Sequence, residues 1–314
     1  MISEETADVM LASLSKNTIK QYGVAIKKWW MFCNGNDIYS LSIPRILSFL
    51  MQNLKAGASY QTLNSYRSAL SLIINESLGS NGEIKRFFKG VFRLKPIKPR
   101  YKHTWDPTIV LNYIARWFPL EELSLELITK KIVILLALTS AQRVQTLSLI
   151  KLNNIKFTDM GVVIVITDFL KTTAVTRQQQ EIVLPYFHTK AELCPVETLK
   201  YYLKVTEVFR SADQNRLLLT FKKPHKCASS QTISRWIRQL LKDSGIDVKT
   251  FTSHSTRHAS TSRAKREGVT LDVILKTAGW SLKSGTFARH YNRPLVNDCE
   301  SFAFARAVCN INVD

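Results

Sequence analysis

No stretch of this chain reaches the ~18 consecutive apolar residues that a membrane-spanning helix needs. The richest run, Ile132 to Leu138, suits one buried helix, so no membrane partner is expected. The opening Met1-Ile2-Ser3-Glu4-Glu5 has neither the basic start nor the apolar core of a signal peptide, and no secretory leader is expected. Cysteine is scarce: Cys33, Cys194, Cys227, Cys299 and Cys309 are odd in number and form no C-x-x-C pair. That argues against a disulfide framework and a zinc ribbon, and for a reducing compartment. His225 and Cys227 stand close together, but no second pair lies at finger spacing, so no metal is expected. A G-x-x-x-x-G-K-[ST] loop and a carboxylate cluster for paired metals are also absent, and no cofactor is expected. Acid is in short supply as well. Against 24 Asp and Glu stand 44 Lys and Arg, a formal charge of +20, which points to a polyanionic partner, with nucleic acid the usual one.

What is present reads first as short amphipathic helices. Ser15 suits the cap of a segment with Ile19, Tyr22, Ile26 and Trp30 at helical spacing. Pro44 marks a second start, before Ile46, Leu47, Leu50 and Leu54, and Gly57 its end. A third segment is expected from Tyr60 to Ser77 and a fourth from Glu83 to Phe92. Eight bases without an acid follow: Lys85, Arg86, Lys89, Arg93, Lys95, Lys98, Arg100 and Lys102. Pro96 and Pro99 stiffen the second half of this run, which reads as a basic connector able to strap a phosphate backbone. The division is therefore a helical domain over 1–95, a linker over 96–104 and a larger domain over 105–314.

In the larger domain, helices are expected near Pro107 to Trp117 and Leu123 to Leu138. Strands are expected at Ile155-Lys156-Phe157, Val162 to Thr167 and Glu181 to Leu184, with a polar hairpin loop between the last two. Helices return at Pro195 to Phe209, Ser230 to Asp243, Arg257 to Glu267, Leu271 to Ala278 and near the C-terminus.

Breaking a phosphodiester without a metal requires a nucleophile, cations on the non-bridging oxygens, a donor for the leaving oxygen and a proton acceptor. Arginine suits the second role because its planar fork offers paired donors and stays charged. Three patches supply such groups. Arg143 sits where an apolar helix gives way to a new turn. In Ser253-His254-Ser255-Thr256-Arg257-His258, His254 and Arg257 share a face at a helix start, where free N–H groups favour an anion. The third patch is Ala278-Gly279-Trp280, followed by Gly285-Thr286-Phe287-Ala288-Arg289-His290-Tyr291-Asn292-Arg293-Pro294.

The order of an arginine, His-x-x-Arg, Gly-Trp and a tyrosine resembles the tyrosine recombinase (phage-integrase-like) family. The wording of the third patch is most similar to recombinases of Crypton and DIRS-type mobile elements. The likeness covers Trp105 to Pro294. The resemblance implies a mostly α fold with a small antiparallel β-sheet: a helical, SAM-like core-binding domain and an α+β catalytic domain. It implies that Arg143 and Arg257 clamp the scissile phosphate, and that His254 bonds that phosphate or accepts the tyrosine proton. Trp280, where most members have histidine and some have tryptophan, would stabilise charge without shuttling a proton. Tyr291 would be the nucleophile, leaving a 3′-phosphotyrosyl link and a free 5′ hydroxyl. Lys171, in the hairpin loop, would protonate the leaving 5′ oxygen, with Lys156 as a substitute.

One departure is Thr146, where the family commonly has Glu or Asp. The resemblance implies double-stranded DNA as the partner and a homo-tetramer on it, a dimer on each site. Glu300 to Cys309 has the apolar positions to dock on a neighbour or on its own domain. The resemblance to eukaryotic elements, with the basic patches, implies a nuclear location, and origin outside such an element would imply the cytoplasm or nucleoid. Two other readings stand beside it: a type IB topoisomerase-like relaxation of strands, which would use nearly the same residues, and a domesticated DNA-binding regulator that uses this fold without catalysis.

Overall fold

The structure is a computed structural model that describes residues 3–35, 42–73, 78–96, 101–170, 173, 179–281, 285, 287 and 291–292. The chain divides into two compact units, 1–99 and 100–314, with the division inside the basic connector.

The first unit holds five helices among the described residues: α1 (Glu4–Ala12), α2 (Lys16–Phe32), α3 (Ile43–Lys55), α4 (Tyr60–Leu70) and α5 (Gly82–Leu94). Sequence pattern predicts four, because α1 buries no residue and so carries no apolar stripe. Short polar side chains set the starts. The Ser15, Ser42 and Ser59 hydroxyls accept from the backbone N–H three residues on, and Asn81 does the same for α5. The predicted stripe of α2 is displaced. Ile19 and Trp30 are exposed, whereas Ala25 and Trp29 are fully buried. A small alanine lets α2 pack closely on α4 and turns Trp29 inward, where its ring meets Phe49 edge-on at 5.2 Å. The third predicted helix stops at Leu70, and 74–77 lie outside the described residues.

The second unit is built around α7 (Leu125–Ser140), whose apolar run from Ile132 to Leu138 is buried on every side. Before it stands α6 (Pro107–Ala115), and after it the short α8 (Val144–Ser148). Three antiparallel strands follow in the order β1 (Ile155–Thr158), β2 (Gly161–Ile166), β3 (Gln180–Pro185). Val162 pairs with Leu184 and Ile164 with Ile182, so buried residues face one side of the sheet. Gly161 opens β2 at a point where a Cβ would lie 2.1 Å from the Leu184 carbonyl oxygen, so only glycine fits. The remaining helices are α9 (Pro195–Thr206), α10 (Ser230–Asp243), α11 (Ser255–Arg266) and α12 (Leu271–Thr277). The predicted helix to Phe209 ends in a 3-10 turn from Glu207. The expected C-terminal helix, with Glu300 to Cys309, lies outside the described residues.

No described helix is long and apolar enough to cross a membrane. No described group of three or more His, Cys, Asp or Glu could hold a metal ion. Cys33 and Cys194 are buried and Cys227 is exposed, and none of the three is in a disulfide.

Candidate active site

Three local structures converge in the second unit. At the end of α7, Ala141 adopts a left-handed conformation (φ 50°) that breaks the helix, and Arg143 follows in extended backbone at the start of α8. At the start of α11, His254 is the capping residue and Arg257 lies in the first turn. At the end of α12, Gly279 (φ 67°) closes the helix, and the Trp280 N–H donates back to the Leu275 carbonyl.

Arg257 ties these three together. It is fully buried, its Nη1 donating to the Ala141 carbonyl at 2.6 Å and its Nη2 to the Ala278 carbonyl at 3.0 Å. Its guanidinium carbon lies 4.6 Å from the centre of the Trp280 ring and 5.5 Å from that of Tyr291. Gln142 adds a second tie, donating to the Thr277 carbonyl at 2.6 Å. Burial, and next the charge of Arg143, lower the Arg257 pKa to about 10, so it stays cationic at neutral pH. Arg143 is half-buried and makes no hydrogen bond or ion pair among the described residues. Its fork is available to an anion.

Tyr291 is buried against this cluster, with its hydroxyl 2.7 Å from Nε2 of His254. The ring stacks on His258 at 4.2 Å and meets Trp280 at 4.5 Å. Its backbone carbonyl accepts from the Ser262 hydroxyl at 2.7 Å. His254, His258 and Ser262 thus form an i, i+4, i+8 stripe on α11 that grips the tyrosine from hydroxyl to main chain. Motif reading picks out His254 and misses the other two. The four-residue spacing was the available signal, but it needs a partner 29 residues beyond Ser262 to mean anything.

The His254 ring keeps an exposed edge, yet the protein around it, then Arg257 and Arg143, lower its pKa to about 4. A neutral imidazole with Nε2 unprotonated accepts from the Tyr291 hydroxyl. Because the folded pKa lies below the ordinary 6.5, the fold binds fewer protons than the unfolded chain between pH 6.5 and 4. Stability should therefore fall as pH drops from 6.5 to 4, and His254→Gln should flatten part of that slope. Denaturant midpoints measured across this range check it.

Two more N–H donors, Trp280 Nε1 and Arg257 Nε, are buried without a hydrogen-bond partner among the described residues. Each is a donor that a phosphate oxygen could use. Gly279 is required by its φ, while the nearest atom to an added Cβ, Gln180 Oε1 at 2.3 Å, belongs to a movable side-chain end. Gly279→Ala should thus cost about 1–2 kcal/mol, mostly backbone strain, read from a shifted unfolding midpoint.

Lys171 lies outside the described residues. Lys156 is exposed on β1 opposite Val163. Asp168, just after β2, is held by Arg216 (2.9 Å) and Lys151 (3.1 Å), which keep its carboxyl below the usual range. Thr146, in place of an acid, is buried on α8. In the first unit Lys85, Arg86, Lys89 and Arg93 are exposed along α5, and Lys95 follows, exposed as well. Lys102 is exposed at the start of the second unit, while Lys98 and Arg100 lie outside the described residues.

Residues 120–297 match the phage integrase family. Among solved structures, the fold is similar to the XerH site-specific recombinase bound to palindromic difH substrate, in a post-cleavage complex. There the TM-score is 0.63 at 12% identity, covering 93% of this chain and 79% of that one. It is also similar to a lambda integrase dimer bound to a COC′ core site (TM-score 0.58, 17% identity, 94% and 95% covered). A third is the Tn1549 transposon integrase with transposon right end DNA (TM-score 0.58, 14% identity, 95% of each chain). No curated protein matches the chain.

Proposed function

Because this chain belongs to the phage integrase family of tyrosine recombinases, we propose that it recombines DNA at specific sites through a covalent bond between Tyr291 and a backbone phosphate. The observation that carries this reading is the tyrosine hydroxyl 2.7 Å from an imidazole held neutral, beside two arginines. A free phenol has a pKa near 10 and needs such help at neutral pH.

The Tyr291 proton passes to His254 as its oxygen bonds to phosphorus. The P–O5′ bond breaks, and the 5′ oxygen takes a proton from Lys171, leaving a 3′-phosphotyrosyl link and a 5′ hydroxyl. Arg143 and Arg257, with the Trp280 N–H, carry the charge on the non-bridging oxygens. The phosphodiester bond is exchanged, so the step needs no ATP. Rejoining reverses it with a different 5′ hydroxyl.

DNA is the partner, and the chain acts as a dimer on each site and a tetramer across two. The charge of +20 and the exposed bases of α5 support the first point. The dimer in the lambda integrase complex supports the second. The motif wording supports origin in a eukaryotic mobile element, and hence work in the nucleus, which imaging a tagged chain checks. The first unit is the core-binding DNA domain of this reading. The test is a nicked suicide substrate, from which wild type should form an adduct that survives denaturation. An adduct with exchange between two duplexes supports recombination, relaxation without exchange supports a topoisomerase-like enzyme, and no adduct on any site leaves a binding protein.

A further inference from the structure

We propose that the turn Lys222–His225, with Lys226, is a rigid finger that grips DNA backbone phosphates outside the catalytic pocket. This rests on the chain being a DNA-binding recombinase. From Gln214 to Lys242 the chain carries seven Lys and Arg and no Asp or Glu. Lys222, Lys223 and Lys226 are exposed and form no ion pair among the described residues.

The turn is braced at every level. Its stem is a small antiparallel bridge, Leu219 to Cys227, with the Thr220 N–H donating to the Lys226 carbonyl at 2.8 Å and the Ala228 N–H to the Leu218 carbonyl at 2.8 Å. The His225 N–H closes the turn on the Lys222 carbonyl at 3.0 Å, and the His225 ring bonds the Thr220 carbonyl through Nδ1 at 2.9 Å. Phe209 stacks on His225 at 4.4 Å, and Phe221 packs on Trp236 at 5.1 Å. Leu217 to Leu219, at the base, belong to the core. A solvated lysine loop has no need of such bracing. A finger that must hold three ammonium groups in register loses less entropy on binding when it is already fixed.

Its position suits a duplex that enters the Tyr291 site. Ser229 caps α10, and Ser234 on that helix bonds the Ser253 hydroxyl at 2.5 Å, next to His254. The chain path from His225 to His254 through that contact is bounded at about 35 Å. One turn of B-DNA is about 34–36 Å. A duplex with its scissile phosphate at Tyr291 therefore needs no more than about one turn to reach the finger, and each strand offers a phosphate every few ångströms along it. The lysines are point charges without a bidentate fork, which fits phosphate gripping and not base reading.

Backbone contacts are sequence-independent, so a random-sequence duplex is a sufficient probe. With the full chain, affinity is followed from about 50 to 200 mM salt for wild type and for Lys222→Ala/Lys223→Ala/Lys226→Ala. The triple variant should bind at least tenfold more weakly at low salt, with a log–log salt slope shallower by about 2–3, near 0.9 per lost contact. The corresponding triple Arg variant should keep the wild-type slope. A control that neutralises Lys190, Lys200 and Lys204, exposed elsewhere on the unit, should change the slope by less than one contact. An unchanged slope in the finger variant, or an equal change in the control, overturns the finger while leaving the recombinase intact. A wild-type chain without affinity for duplex overturns both.

Discussion

A Tyr291→Phe chain should form no covalent adduct on a nicked suicide substrate, while binding the same DNA within about twofold of wild type. The ring remains, so its stack on His258 and contact with Trp280 persist. The hydroxyl is the only atom removed. Its bond to His254 is at the edge of the pocket, so the loss of stability should be about 1 kcal/mol or less. Covalent catalysis has no partial substitute when the attacking oxygen is gone. Denaturing gels read the adduct, and anisotropy on an intact duplex reads affinity. An adduct that persists in the Phe variant would move the nucleophile to another residue. A variant that loses DNA affinity in parallel would make Tyr291 a packing residue and not a chemical one.

Local chemistry was legible in the sequence wherever it is decided by neighbours in the chain. Ser15, Pro44 and Gly57 mark real helix limits, because capping and helix-breaking involve only adjacent backbone. The strands of the small sheet were legible from their apolar alternation and bounding turns. Choices settled by a distant partner were not. Trp29 and Trp30 are equivalent by composition, and only packing against the neighbouring helices, with Phe49 of α3 on its ring, makes the first the buried one. His258 reads as a neighbour of Arg257 until Tyr291 stacks on it. The partners of Arg257, carbonyls 116 and 21 residues away, are backbone atoms that every residue possesses, so no motif announces them.

That last feature makes Arg257 the more demanding test. Arg257→Lys keeps an amine at the position but offers a compact head in place of a fork, which cannot serve the Ala141 and Ala278 carbonyls together. One buried carbonyl is left without a donor, at a cost of about 1–3 kcal/mol. The turn that carries Arg143 and the turn that carries Trp280 lose one of their ties and keep the Gln142 bond to the Thr277 carbonyl. Adduct formation should fall by roughly 100- to 1000-fold, the scale of losing one preorganised donor to the transition state. DNA affinity should change little, since a side chain with no exposed surface adds little to the encounter. Arg143→Lys separates the two contributions. Arg143 makes no bond of its own among the described residues, so its loss should slow adduct formation to a similar degree while leaving the unfolding midpoint nearly unmoved. If the two lysine variants are equally destabilised, Arg257 does not bolt the site. If Arg257→Lys is destabilised yet fully active, the buried guanidinium serves the fold alone.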